Sequence, residues 1–278
     1  MLRGVSRDED EVVAGARAAW LREIEVELPQ RAREVLAGRR PDGRRWSRRQ
    51  DTLCWRMRGE QNAVFFKLGD LAHAARPTGL PTPRVLASGR LCSGSFVLIT
   101  EEAAGTRARD LVGTPRAAGL VSALARALRE VHAGPCLPGA PRLDPEELLH
   151  RAQRRFAAGL VPEESFSSRY GPVLDLARRP AELERLARAL PALPPGGWAR
   201  LHGDPCLPNL FLDEQDRVTA WIDLDLSGEG DPAWDLALAS WSIRKNLGPE
   251  AAQALLGCFP EVPPERVQWM AALSRFLR

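Results

Sequence analysis

Residues 202–225 read HGDPCLPNLFLDEQDRVTAWIDLD and hold the densest group of side chains able to do chemistry. Asp204 is followed by Asn209, then by a polar turn, then by an apolar run that delivers Asp223. A carboxylate at the end of a loop can accept a hydrogen bond from an alcohol and take its proton late in a transfer. A neutral amide carbonyl and a second carboxylate are oxygen ligands for Mg2+, which takes few protein oxygens and completes its shell with water and phosphate. The chemistry such a set could run is transfer of a phosphoryl group from a magnesium-bound nucleotide to a hydroxyl. Asp225, two residues past Asp223, is expected on the same strand face, either as a further ligand or orienting group or as a solvent-exposed carboxylate. His202 is expected to hydrogen-bond within its own loop, and Cys206 to serve packing.

Phosphoryl transfer also needs a cation on the nucleotide phosphates and a loop over them. Of 39 basic residues only Lys67 and Lys245 are lysines, which suggests that a compact ammonium is wanted at those positions and not a planar fork. Lys67 closes the run AVFFK and is expected on an inner strand, at the phosphates. Ser47 and the backbone amides of GRRWSRRQDT, residues 43–52, are expected to cover the phosphates, with Arg48 or Arg49 assisting. The backbone from Glu101 to Ala103 is expected at the base edge. Competing chemistries find no support. The histidines His73, His132, His150 and His202 are isolated, and there is no HExxH, GxSxG, GxGxxG or GxxxxGK[ST].

Periodicity indicates how these groups are held. A helix over residues 8–28 is expected to break at Pro29. Residues 52–58, 63–68 and 95–100 have strand character, with a turn over Gly59–Asn62 and loops at Pro77, Pro81 and Pro83. Helices are expected over 116–132, 144–159, 180–190, 232–246, 249–257 and 263–277, and a hairpin over 209–213 and 218–224, with Asp223 at the end of its second strand. The expected class is α+β: residues 1–102 form a small lobe with a nucleotide-binding antiparallel sheet, and residues 103–278 a larger helical lobe with the catalytic loop and the acceptor site.

The 278 residues, 44% of them hydrophobic, are enough for two lobes with separate cores. No apolar run is long enough to span a membrane, and the charged N-terminus lacks the core of a signal peptide. Five scattered cysteines without CxxC spacing read as reduced thiols of a cytoplasmic protein. The net charge of +3 is small, and the arginine run 39–49 has no aromatic ladder beside it, so no nucleic-acid partner is expected.

HGDPCLPN followed by IDLDLSGEGDPAWDLALASWSIRKNLGPE resembles the aminoglycoside phosphotransferase family, with the greatest likeness to its 3′-phosphotransferases. A fainter likeness covers residues 128–164. RRQDTLCWRMRGEQNAVFFK with GLPTPRVLASG and SFVLITEE is similar also to lipopolysaccharide-core sugar kinases. The resemblance implies a protein-kinase-like bilobal fold, ATP or GTP as donor, Mg2+, and a small hydroxylated acceptor. It implies Asp204 as the catalytic aspartate, Asn209 and Asp223 at the magnesium, Lys67 at the phosphates and Asp235 as a buried brace of the catalytic loop. Two departures stand out. The only acid between Lys67 and Thr100 is Asp70, where the family pairs its lysine with a glutamate from a helix. Ser274, Arg275, Phe276 and Leu277 stand where the aminoglycoside enzymes carry an Asp-Glu pair before two aromatics, and Arg244 and Lys245 stand where acids would help a polycationic drug. Glu163, Glu164 and Glu229 are then the candidates to receive an amine. The competing expectations are a kinase for a sugar, a lipopolysaccharide core or another antibiotic, and an inactive nucleotide-binding pseudokinase.

Overall fold

The alternation of large apolar residues in LCWRMR, AVFFKLG and FVLITE builds a sheet with one dry face. The computed structural model describes residues 28–45, 53–60, 62–69, 78–92, 94–136, 138–168, 173–192 and 197–277. The helix expected over 8–28 apart from Leu28, residues 46–52 of the expected phosphate-covering segment with Ser47, Arg48 and Arg49, and Asp70 fall outside these residues, whereas residues 43–45 of that segment are described and end a strand. The chain divides into two compact units. The first takes the described residues up to Gly69 together with Pro83–Ala103, and the second takes the described residues of 77–82 together with Ala104 onward.

In the first unit, helix α1 (Gln30–Leu36) begins after Pro29. Strands β1 (Arg40–Arg45), β2 (Leu53–Arg58), β3 (Ala63–Gly69), β4 (Val85–Arg90) and β5 (Phe96–Glu101) form an antiparallel sheet in the order β1-β2-β3-β5-β4. Because side chains alternate across a strand, Trp55, Met57, Val64, Phe66, Leu68, Val97 and Ile99 share one face. They are buried with Leu28 and Ala32 of the α1 region. The register Arg56↔Phe65↔Thr100 and Cys54↔Lys67↔Leu98 puts the opposite set on the other face. On that face Arg56, Phe65, Lys67 and Thr100 are only half-buried.

The second unit begins with short strand β6 (Thr106–Arg107) and helix α2 (Leu120–Ala133), whose Leu120, Leu124, Leu128 and Val131 are buried. Strand β7 (Arg142–Leu143) leads to helix α3 (Pro145–Ala157), started by Pro145 and capped by the Asp144 carboxylate, which accepts from Glu146 N at 2.8 Å. Helix α4 (Arg179–Arg188) and strand β8 (Ala199–Leu201) follow. Strands β9 (Leu210–Leu212) and β10 (Val218–Trp221) form a hairpin, β9 pairing also with β6. Strand β11 (Gly228–Gly230) joins β8 and β7. Helices α5 (Pro232–Leu247), α6 (Pro249–Gly257) and α7 (Pro264–Leu277) close the chain. α5 is buried along most of its length, which suits a helix apolar on nearly all sides. Among the described residues no helix is long and apolar enough to cross a membrane.

Two local expectations are corrected. Strand β10 stops at Trp221, so Asp223 does not end a strand: it has φ 60°, in the left-handed region where aspartate is among the few tolerated side chains. Asp225 lies in the turn that follows and not on a shared strand face, because the left-handed residue breaks the alternation of an extended chain.

Candidate active site

The candidate catalytic loop, residues 202–209, lies between β8 and β9 and is held by α5. Asp235, fully buried in the first turn of that helix, accepts the backbone N–H of His202 at 2.9 Å on Oδ2 and that of Gly203 at 2.8 Å on Oδ1. A carboxylate at a helix N-terminus also benefits from the helix dipole. The indole Nε1 of Trp234 donates to the Gly203 carbonyl at 2.8 Å, so both the N–H and the carbonyl of Gly203 are engaged. Ser242, two turns further along α5, accepts the N–H of Leu207 at 3.0 Å. Gly203 has φ 91°, and a Cβ there would sit 2.2 Å from the Leu226 carbonyl oxygen. Glycine is thus required on two counts.

Beyond Gly203 the loop folds on itself. Cys206 N–H donates to the Asp204 carbonyl at 2.8 Å, and Asn209 N–H donates to the Cys206 carbonyl at 2.8 Å. The side-chain amide of Asn209 donates from Nδ2 to the Asp204 carbonyl at 2.9 Å and to the Asp204 carboxylate at 3.2 Å. Two acceptors on the NH2 side fix the amide's orientation, with its NH2 toward Asp204. Asp204 is half-buried and Asn209 buried. The Asn209 backbone carbonyl accepts from Ile222 N at 3.0 Å, which ties the segment bearing Asp223 to the loop bearing Asp204. Asp223 itself is exposed. Sequence-predicted Asp204, Asn209 and Asp223 are therefore linked through one hydrogen-bonded stretch.

His202 is a structural member of this set. It is fully buried, its Nδ1 accepts from Asp204 N at 3.1 Å, and its ring lies 4.5 Å from that of Trp221. Burial pushes its pKa below the ordinary 6.5, against the opposing pull of Asp235, Asp204 and Asp223, so the ring is neutral near pH 7. Cys206 is buried, as expected of a packing residue.

His132 on α2 is the residue the sequence did not single out. Its Nε2 lies 3.2 Å from Asp235 Oδ2, so the carboxylate that braces the loop is itself held from a second helix. Asp235 is 103 residues away in sequence, and nothing local in LREVHAG signals the pairing.

The first unit, taken alone, carries Lys67 on the sheet face opposite its core, beside Phe65 and Thr100. Glu101 closes β5. Its carboxylate is held below the usual range by hydrogen bonding from Arg84, whose Nε lies 3.1 Å away. Ala103 is half-buried and is the last residue of this unit. Among the described residues no cluster of three or more His, Cys, Asp or Glu side chains could hold a metal alone.

The acids expected to receive an amine are largely engaged. Glu163 makes a two-pronged ion pair with buried Arg179, at 2.6 and 2.8 Å, which lowers its pKa. Glu229 lies 3.2 Å from Arg142 Nε. Arg275, on the last turn of α7, is turned inward: its Nε donates to the Ser165 carbonyl at 3.1 Å, and its guanidinium lies 5.3 Å from the Phe166 ring centre. Arg179 covers the same ring at 4.1 Å. Phe276 meets it edge-on at 4.9 Å. The last turn of α7 thus anchors the 3-10 turn Glu163–Phe166.

A sequence profile described as the phosphotransferase enzyme family matches residues 60–259. A 48-residue stretch is 46% identical to a probable aminoglycoside 3'-phosphotransferase of Lactococcus lactis. That stretch is 17% of this chain and spans only 18% of the length of that curated relative. Among solved structures, an aminoglycoside-3'-phosphotransferase of type VIII is similar with a TM-score of 0.65 at 26% identity, over 80% of this chain and 88% of that one. The aminoglycoside phosphotransferase APH(3'')-Id of Streptomyces rimosus, solved with ADP and streptomycin, reaches a TM-score of 0.70 at 22% identity, over 93% and 98%. The fold, an antiparallel-sheet unit joined to a helical one, is the kinase-like fold of these proteins. With the family profile matching well over half its length, the chain belongs to the phosphotransferase enzyme family.

Proposed function

We propose that this chain is a small-molecule kinase that transfers the terminal phosphoryl group of ATP, or GTP, to a hydroxyl of a small acceptor. The observation that carries this reading is the double hydrogen bond from Asn209 Nδ2 to Asp204. It orients a neutral carbonyl and a carboxylate side by side on a loop whose backbone is pinned by Asp235. Asp204 accepts the hydrogen bond of the acceptor hydroxyl, aligns it for in-line attack and receives its proton as the new O–P bond forms. Asn209 Oδ1 and the Asp223 carboxylate would hold magnesium. Bound there, the ion neutralises charge on the phosphate oxygens. Lys67 supplies a compact cation to the nucleotide phosphates. Phe65, two residues earlier on the same face, offers an aromatic surface to the base. The backbone from Glu101 to Ala103 reads the base edge, and Ser47 belongs to the segment that covers the phosphates.

The acceptor is proposed to be an aminoglycoside-type antibiotic, in keeping with the family likeness. Streptomycin accompanies ADP in one of the similar structures. One observation favours a second reading. Glu163 and Glu229 already face arginines, and Arg275 stands near the 3-10 turn that also bears Glu164. A polycation would have to displace Arg179 and Arg142 to use two of the three acids. A less cationic acceptor, such as a neutral sugar or another hydroxylated antibiotic, would not.

The test is magnesium-dependent nucleotide consumption against aminoglycosides, neutral sugars, amino alcohols and other antibiotics, with the phosphorylated product identified by mass. Turnover with one acceptor class, abolished by chelating magnesium, supports the proposal. Nucleotide binding without turnover across the panel would favour a pseudokinase.

A further inference from the structure

The sheet face that carries Lys67 also carries a charge network that the proposed chemistry leaves unused. Arg56 on β2 stands opposite Phe65 on β3, which stands opposite Thr100 on β5. The Arg56 guanidinium extends across this row. Its Nε and Nη2 donate to the two carboxylate oxygens of Glu102 at 2.8 and 2.9 Å, and its Nη1 donates to Asp42 Oδ2 on β1 at 2.7 Å. One arginine thus joins β1, β2 and the residue that follows β5. Glu102 is the residue between Glu101 and Ala103, where the chain leaves the first unit. Glu101 is held separately: its N–H donates to the Arg84 carbonyl at 2.9 Å and its carboxylate accepts from Arg84.

As a device for stability this network is a poor choice. Glu102 is 45% exposed, and exposed ion pairs contribute little because water screens them and long side chains lose freedom. What a two-pronged pair does supply is geometry: a planar fork on a carboxylate fixes position and orientation together. The half-buried end of the network, Asp42 at 15% exposure, anchors the fork at the sheet, and the exposed end holds the connecting segment.

We propose that Arg56 is a positioning residue for the nucleotide base: through Glu102 it fixes the backbone of Glu101–Ala103 in the register that meets the base edge. This rests on the assignment of that segment to the nucleotide made above. Arg56 then sets donor affinity and the choice between ATP and GTP, and leaves the phosphoryl-transfer step alone. A base edge read by backbone groups depends on their placement to a fraction of an ångström, because misplaced donors and acceptors lose their bonds and are left unpaired.

The test compares wild type with Arg56→Met, Arg56→Lys, Glu102→Gln and the double variant Arg56→Met/Glu102→Gln. Equilibrium binding of fluorescent ATP and GTP analogues is measured first, then donor KM, acceptor KM and kcat with the best acceptor. Arg56→Met and Glu102→Gln are each expected to weaken donor binding about fivefold to tenfold, to narrow the ATP-to-GTP preference, and to leave kcat at saturating donor and acceptor KM within about twofold. The double variant is expected to be no worse than either single one, since both remove the same contact. Arg56→Lys keeps the charge without the fork and is expected to fall between. Unchanged donor binding and unchanged base preference in Arg56→Met and Glu102→Gln would overturn the inference, as would a loss confined to kcat. Wild-type protein that binds neither nucleotide would overturn the functional proposal itself, a result distinct from the other two.

Discussion

The side-chain amide of Asn209 bonds to both the backbone carbonyl and the carboxylate of Asp204, at 2.9 and 3.2 Å. One residue therefore ties the backbone and the carboxylate of Asp204 together and fixes its own amide. Asn209→Ala is expected to raise the magnesium concentration needed for half-maximal turnover roughly 10- to 100-fold and to lower kcat. A magnesium titration of initial rates checks this. An unaltered magnesium requirement would remove Asn209 from the metal site.

Asp235 receives the backbone N–H groups of His202 and Gly203 and faces the ring of His132. In Asp235→Ala those buried donors lose their acceptor. The expected cost is about 3–5 kcal/mol, the range for breaking a buried charged network by removing one partner. Denaturant unfolding measures it. His132→Ala removes only one of the three contacts and is expected to cost less.

Gly203→Ala confronts a positive φ and a Cβ contact of 2.2 Å to a backbone oxygen. Neither is relieved by a side-chain rotation. Loss of at least about 2 kcal/mol is expected, with turnover falling further because the loop shifts. Thermal unfolding and kcat of the same preparation report the two effects.

The buried His202 predicts a pH dependence for the metal-free protein. Its folded pKa lies below the unfolded value of 6.5. Between those two values the unfolded chain binds more protons than the folded one, so stability rises with pH. The expected result is constant stability from this group above about pH 6.5 and a progressive loss as pH falls below it. His202→Gln, which keeps a polar side chain but does not titrate, is expected to flatten that part of the profile. Unfolding free energies at a series of pH values provide the measurement.

Much of this was legible in the sequence for a physical reason: it depended on residues close together in the chain. Asp204, Asn209 and Asp223 lie within one short segment, and the apolar alternation around Lys67 sufficed to put it on an inner strand of the sheet. The strand end before Asp223 was misjudged because an apolar run says nothing about the left-handed residue that ends it. The partners at long range were out of reach. His132 finds Asp235 through the packing of two helices, and Arg56 finds Glu102 across β3 and β5, and no periodicity encodes either meeting. Glu163 and Glu229 were legible as acids but not as ion-paired acids, because their arginines arrive from other elements.

The central claim is that Asp204 handles the acceptor hydroxyl. Asp204→Asn keeps the shape and the backbone bonds of the loop but removes the carboxylate. Its kcat with the best acceptor, measured at saturating nucleotide and magnesium, is expected to fall by about 10²- to 10⁴-fold while donor binding stays within a few-fold of wild type. Undiminished turnover in Asp204→Asn, with the same product, would contradict the account.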